Sequence, residues 1–100
     1  MQAITNDFLN KHKLRTDAKT RYIDLISEIG ELGAEITKST EYGKKDFTVT
    51  SQMIDEIGDC VFSLLALCNE LNIDAEEALH KSLAKYMRRF ESKGSIGSCS

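Results

Sequence analysis

The sequence contains no proline and no tryptophan. Without proline no segment is barred from a helix by a missing N–H, and turns fall to Gly, Asn, Asp, Ser and Thr, so a helical chain is favoured. Long apolar runs are missing too. The longest, CVFSLLALC at 60–68, is far short of the roughly 20 residues that span a bilayer, and the opening stretch MQAITNDFLNKHK has no apolar core of secretory-signal type. No membrane partner and a cytoplasmic location are therefore expected. Cations do not outnumber anions: 13 Lys and Arg against 16 Asp and Glu leave a net charge of −3, which gives no global field for a nucleic-acid polymer. The three cysteines include no Cys-x-x-Cys pair, which speaks against a thiolate zinc site; Cys60 and Cys68 read as small hydrophobes within the apolar run. A glycine-rich phosphate loop and a nucleophile elbow are also absent.

What is present is helical periodicity. With 100 residues, 41% hydrophobic and 29% charged, the chain is one folded domain near the size where a single core becomes adequate. Four segments carry three- and four-residue apolar steps. The first, about 2–12, has Ile4, Phe8 and Leu9 on one side. The second, about 17–39, repeats Tyr22, Ile23, Ile26, Ile29, Leu32 and Ile36, with Thr16 or Asp17 as N-cap. Residues 40–50, TEYGKKDFTVT, lose the period and read as a loop made basic by Lys44 and Lys45. The third segment, about 51–71, becomes apolar almost all round after Asp59, which predicts burial on more than one side and hence an oligomer interface. The fourth starts at DAEEAL, with Asp74 as N-cap and Glu77 in a variant of the capping box, and presents Leu79, Leu83, Tyr86, Met87 and Phe90. The expected division is a domain over 1–93 and a flexible tail, GSIGSCS, over 94–100.

Acids punctuate the two middle segments. In EIGELGAE, residues 28–35, Glu28, Glu31 and Glu35 fall on one helix face; in DEIGDC, residues 55–60, Glu56 and Asp59 do the same. Like charges at this spacing repel, the more so when partly buried. A hard divalent cation, Mg²⁺ above all, would neutralise them and hold phosphate at the same time. Spacing alone does not choose between such a site and a solvated acidic face, but both pairs sit inside an apolar period, beside the core. Gly30, Gly33 and Gly58 each weaken a helix interior by roughly 1 kcal/mol relative to alanine. The expectation is that the missing Cβ atoms let the two helices approach closely. On the last segment Lys81, Lys85, Arg88 and Arg89 form a cationic strip, readable either as a solvated helix end complementing the helix dipole or as an anion site.

These phrases resemble a known pattern. EIGELGAE followed by DEIGDC is similar to the E-x-x-E, spacer, E-x-x-D signature of the MazG-like superfamily of all-α nucleoside triphosphate pyrophosphohydrolases, and NIDAEEALHKSLAKYMRRF resembles the last core helix of that superfamily. The likeness covers roughly residues 18–90. It implies an all-α four-helix bundle completed by oligomerisation as a homodimer or homotetramer. It also implies an enzyme that cleaves a (d)NTP to (d)NMP and pyrophosphate, a reaction suited to nucleotide-pool house-cleaning. By the same resemblance Glu28, Glu31, Glu56 and Asp59 are ligands of Mg²⁺, with Mn²⁺ as substitute. Glu28 orients or deprotonates the attacking water, and Lys85, Arg88 and Arg89 contact substrate phosphates. Phe8, His12, Tyr42 and Phe47 are the side chains available to stack on a base. Two departures stand out: Ser27 occupies the place of a frequent second glutamate and Leu83 that of a frequent asparagine. The alternatives are a phosphoribosyl-ATP pyrophosphohydrolase and a catalytically inactive helical interaction module of the same fold.

Overall fold

The computed structural model describes residues 1–93 as four helices: α1 (Gln2–Lys11), α2 (Ala18–Ser39), α3 (Ser51–Glu70) and α4 (Ala75–Lys93). No strand occurs among the described residues, so the all-α expectation holds. The expected tail at 94–100, with Cys99, lies outside the described residues. Helix starts follow side-chain chemistry. Asp17, not Thr16, caps α2, its carboxylate accepting from the Thr20 N–H at 2.7 Å; Thr50 Oγ1 caps α3 by accepting from the Met53 N–H at 3.2 Å; and Asp74 caps α4 by accepting from the Glu77 N–H at 3.0 Å. The capping box at α4 is only half formed, because the Glu77 carboxylate points along the helix to Lys81 Nζ, 3.8 Å away.

Three helix ends share one device that their composition hides. The residue after each C-cap is left-handed, Lys13 at φ 56°, Glu41 at 47° and Asn72 at 55°. The next N–H then reaches back to the carbonyl three positions inside the helix: Leu14 to Leu9 at 2.8 Å, Tyr42 to Thr37 at 3.0 Å and Ile73 to Cys68 at 2.9 Å. This is the Schellman closure, which glycine usually makes. Here no glycine stands at the left-handed position.

Helices α2 and α3 are antiparallel. The end of α3 meets the entry to α2, where Arg15 Nε donates to Glu70 Oε1 at 2.6 Å, while Glu56 near the start of α3 lies beside Glu31 and Glu35. Helix α1 lies along the second half of α3. Leu9 is fully buried there, Thr5 nearly so, and Phe8 meets Phe62 edge-on at 6.1 Å. The buried side of α1 is thus Thr5 and Leu9, rather than the Ile4, Phe8 and Leu9 side read from periodicity; Ile4 faces solvent. With only one neighbouring helix, a ten-residue helix buries a single narrow line of side chains.

Helix α4 forms no packed face against α2 or α3. Its apolar stripe of Leu79, Leu83, Met87 and Phe90 is more than half exposed, and the radius of gyration is 16.9 Å, against about 13 Å for a compact chain of this length. The reading of the three helix glycines is corrected here. A Cβ built at Gly30, Gly33 or Gly58 meets nothing within 4 Å, so none of them admits a close helix approach within the chain.

Candidate metal centre

The acids converge because the antiparallel register sets the middle of α2 against the first half of α3. One carboxylate oxygen from each of Glu28, Glu31 and Glu56 lies within 4.8 Å of the others. Asp59 does not join that tight group, although it is close enough for its charge to act on both Glu28 and Glu56. Glu35, one turn beyond Glu31, also acts on Glu56 and is held by Lys38 at 3.5 Å. Glu35 was visible as part of the acidic stripe, but nothing in the spacing set it beside Glu56.

Glu28 and Glu56 are half-buried, and the Oε2 atom of each is shut away from solvent without a hydrogen-bond donor. Burial holds both carboxyls above the ordinary carboxylate range, reinforced by hydrogen bonding to Glu31 and by the surrounding negative charges. The charges that act most strongly on them are negative. An acceptor-only group buried without a donor is costly, and oxygen donors clustered at this spacing are the ligand set of a hard divalent cation. The residues therefore fit such an ion. Cys60, next along α3, is no rival ligand. Burial first, and then the same acids, push its thiol up, and burial alone does so for Cys68; both are free thiols in a state that resists reaction.

The cationic strip lies elsewhere. Lys85 Nζ sits 4.9 Å from the centre of the Tyr86 ring and the Arg89 guanidinium 5.9 Å from it, while Arg88 is exposed. Helix α4 packs on neither α2 nor α3, and among the described residues none of the three forms an ion pair with Glu28, Glu31, Glu56 or Asp59. The aromatic candidates divide as well. His12 lies against Phe8 at the end of α1, ring centres 4.6 Å apart and tilted by 48°, whereas Tyr42 and Phe47 stand exposed in the α2–α3 connection. Lys45 in that connection reaches Glu41 at 3.6 Å.

Fold and site together define a class: an all-helical protein with a carboxylate cluster, suited to a divalent cation, set between two antiparallel helices. The model of one family of that class, the MazG nucleotide pyrophosphohydrolase domain, matches residues 17–92, and the chain belongs to that family. It is also similar to a Bacillus subtilis (strain 168) protein named "Uncharacterized protein YpjD", at 38% identity over 68 residues. That alignment takes in 65% of this chain and 60% of the relative's length. No solved structure matches the chain. Among the described residues no helix is long and apolar enough to cross a membrane.

Proposed function

We propose that the protein hydrolyses nucleoside triphosphates to the monophosphate and pyrophosphate, with Mg²⁺ or, in its place, Mn²⁺ held by Glu28, Glu31, Glu56 and Asp59. The observation that carries this reading is the half-buried carboxylate cluster with two inaccessible, donorless oxygens, at Glu28 and Glu56, in a chain of the MazG family. A divalent cation bound there would supply charge neutralisation and polarisation of the phosphate oxygens. Glu28 is the residue assigned to the attacking water. In the metal-free protein burial and its acidic neighbours hold its carboxyl above the ordinary range, and a carboxylate within the cluster is a suitable proton acceptor. Water oxygen adds to the α-phosphorus and its proton passes to the Glu28 carboxylate. The bond from that phosphorus to the α,β-bridging oxygen breaks, its electron pair leaving with pyrophosphate.

Phosphate charge also needs cations, and in this reading Lys85, Arg88 and Arg89 supply them. They stand on a helix that does not pack on α2 or α3 in its own chain, so the protein acts as a homodimer or homotetramer. The exposed apolar stripe of α4 is covered by a second copy, and the cationic edge beside it lies over that copy's acids. Opposite charges on the two surfaces favour this pairing over a like-charged one. A role in clearing unwanted nucleotides from the pool follows from this chemistry.

The test is incubation with a panel of ordinary and modified nucleoside triphosphates plus Mg²⁺, separating pyrophosphate from orthophosphate. Monophosphate with pyrophosphate, lost on chelation and lost in Glu56→Gln with helicity intact, is expected. Orthophosphate release, or turnover unchanged in Glu56→Gln, would refute the assignment.

A further inference from the structure

Helix α4 carries the cationic strip yet packs on neither α2 nor α3, so its direction is not set by packing on those helices. Gln2 reaches the joint where α4 leaves the α3–α4 turn. Its Oε1 accepts from the Ala75 N–H at 2.8 Å, while its Nε2 donates to the Ile73 carbonyl at 2.7 Å and to Asn69 Oδ1 at 2.9 Å. Ala75 opens α4, Ile73 lies in the turn and Asn69 belongs to the last turn of α3. One carboxamide therefore grips both sides of the joint. With Asp74 accepting from the Glu77 N–H at 3.0 Å, the start of α4 has two caps, one from its own turn and one from α1.

The other end of α1 is anchored as well. Arg15, just beyond it, donates to Glu70 at the end of α3 at 2.6 Å and to Asn6 and Asn10 of α1 at 3.0 and 3.1 Å. Helix α1 is thus tied to α3 by Leu9 and Arg15 and to α4 by its first residue, which makes it a brace across the α3–α4 joint. Both Gln2 and Arg15 precede the stretch that matches the family, residues 17–92. Leverage gives the joint its consequence. Arg89 is fourteen residues beyond Ala75, about 21 Å along the axis at about 1.5 Å per residue. A swing of about 10° at the turn displaces Arg89 by about 4 Å on that arm, more than the length of a hydrogen bond, and substrate contacts tolerate errors of only about 1 Å.

We propose that Gln2 is a positioning residue for the reaction, holding α4 at the angle from which Lys85, Arg88 and Arg89 reach the acids of a second copy. The inference rests on the nucleotide reading above for what those cations contact; the brace itself stands on the hydrogen bonds alone. Gln2 lies at the opposite end of α4 from Arg88 and Arg89, and its effect passes along the helix. A side chain that only added stability would leave the cations where they are in the folded protein.

The experiment compares the full chain with Gln2→Ala, which keeps helix propensity at the start of α1 and removes all three bonds. Residual dipolar couplings of the α3 and α4 amides give the angle between the two helices, hydrogen exchange reads the Ala75 amide, and titration with Mn²⁺ and then inorganic triphosphate reads the site without turnover. In the variant the Ala75 amide should exchange at least about tenfold faster and α4 should swing by about 10° or more. Mn²⁺ affinity should stay the same, whereas triphosphate affinity and the KM for the nucleotide should worsen at least about tenfold. In a chain that carries Lys85→Ala, Arg88→Ala and Arg89→Ala, adding Gln2→Ala should change triphosphate affinity by less than about twofold, because the brace acts through those cations. An unchanged helix angle with a protected Ala75 amide would overturn the inference whatever the turnover, and so would a new angle with wild-type triphosphate affinity. Triphosphate binding without turnover of any nucleotide would refute the hydrolase reading and leave the brace standing; no triphosphate binding by the wild-type chain would overturn both.

Discussion

Gly30→Ala and Gly33→Ala, made together, should stabilise the protein. Both glycines lie inside α2, and a Cβ at either meets nothing within 4 Å, so the substitution adds no clash and needs no rearrangement. Each then returns the difference between glycine and alanine in a helix interior, about 0.8–1.0 kcal/mol, or roughly 2 kcal/mol for the pair. For a domain of this size 1 kcal/mol moves Tm by about 4–8 °C, so the double variant should melt roughly 8–16 °C higher. Urea unfolding followed by circular dichroism gives the free energy directly, and it should be run over a range of protein concentrations. Equal or lower stability in dilute protein would refute the reasoning, because it would mean that something in the chain occupies the space the structure shows as open. A gain in dilute solution that reverses at high concentration would place a neighbouring copy against that face.

Lys13→Gly replaces a side chain held at φ 56° with the residue that tolerates it, and should raise Tm, with the net gain limited to about 1 kcal/mol by the greater freedom of glycine in the unfolded chain. Thr50→Ala removes the oxygen that caps α3 and should lose about 1 kcal/mol in the same unfolding assay. Met87→Lys with Phe90→Glu should shift light scattering and sedimentation toward the monomer without loss of helix; an unchanged mass would show that the α4 stripe is not the association surface. Stability should respond to acid with two opposite signs. Glu70 and Asp17 are held below the ordinary range, Glu70 first by its hydrogen bond from Arg15 and Asp17 first by that from the Thr20 N–H. Their contribution is present above the unfolded-state value and is lost as pH falls through the depressed one. Glu28 and Glu56 are held above it, so metal-free protein gains stability from them as pH falls through their raised values and has lost that gain above them. A thermal melt against pH in chelator separates the two, since Glu70→Gln should flatten only the low-pH limb.

Much of this was legible in the sequence, and the parts that were not have physical reasons. Period placed all four helices to within a residue or two, and Asp17 and Asp74, short acceptors standing just before apolar repeats, marked two of the starts; Thr50, the cap of α3, read only as the end of the loop. Acid spacing identified Glu28, Glu31 and Glu56 as neighbours, since i,i+3 pairs on two facing helices need only the right register to meet. The looser place of Asp59 depends on the rotation of α3, which spacing does not fix. The Schellman ends were invisible because Lys13 and Glu41 stand where glycine would have signalled them. The network of Gln2, Arg15, Asn69 and Glu70 was invisible for another reason: isolated polar residues on amphipathic helices look like solvated ones until the fold sets them face to face. The stand-off of α4 was not legible either, because its stripe reads the same whether its own chain or another copy covers it.

Gln2 holds the N-terminus of α4 across 73 residues of chain, and that span sets an order of events during synthesis. At about 5–20 residues per second, Ala75 is made roughly 4–15 s after Gln2. Through most of that interval α1 has nothing to lie on, since its bed is the second half of α3, and a helix of ten residues is marginal by itself in water. Helix α1, made before the other three, is therefore among the last of the four to settle, and the start of α4 is tied back to it through Gln2.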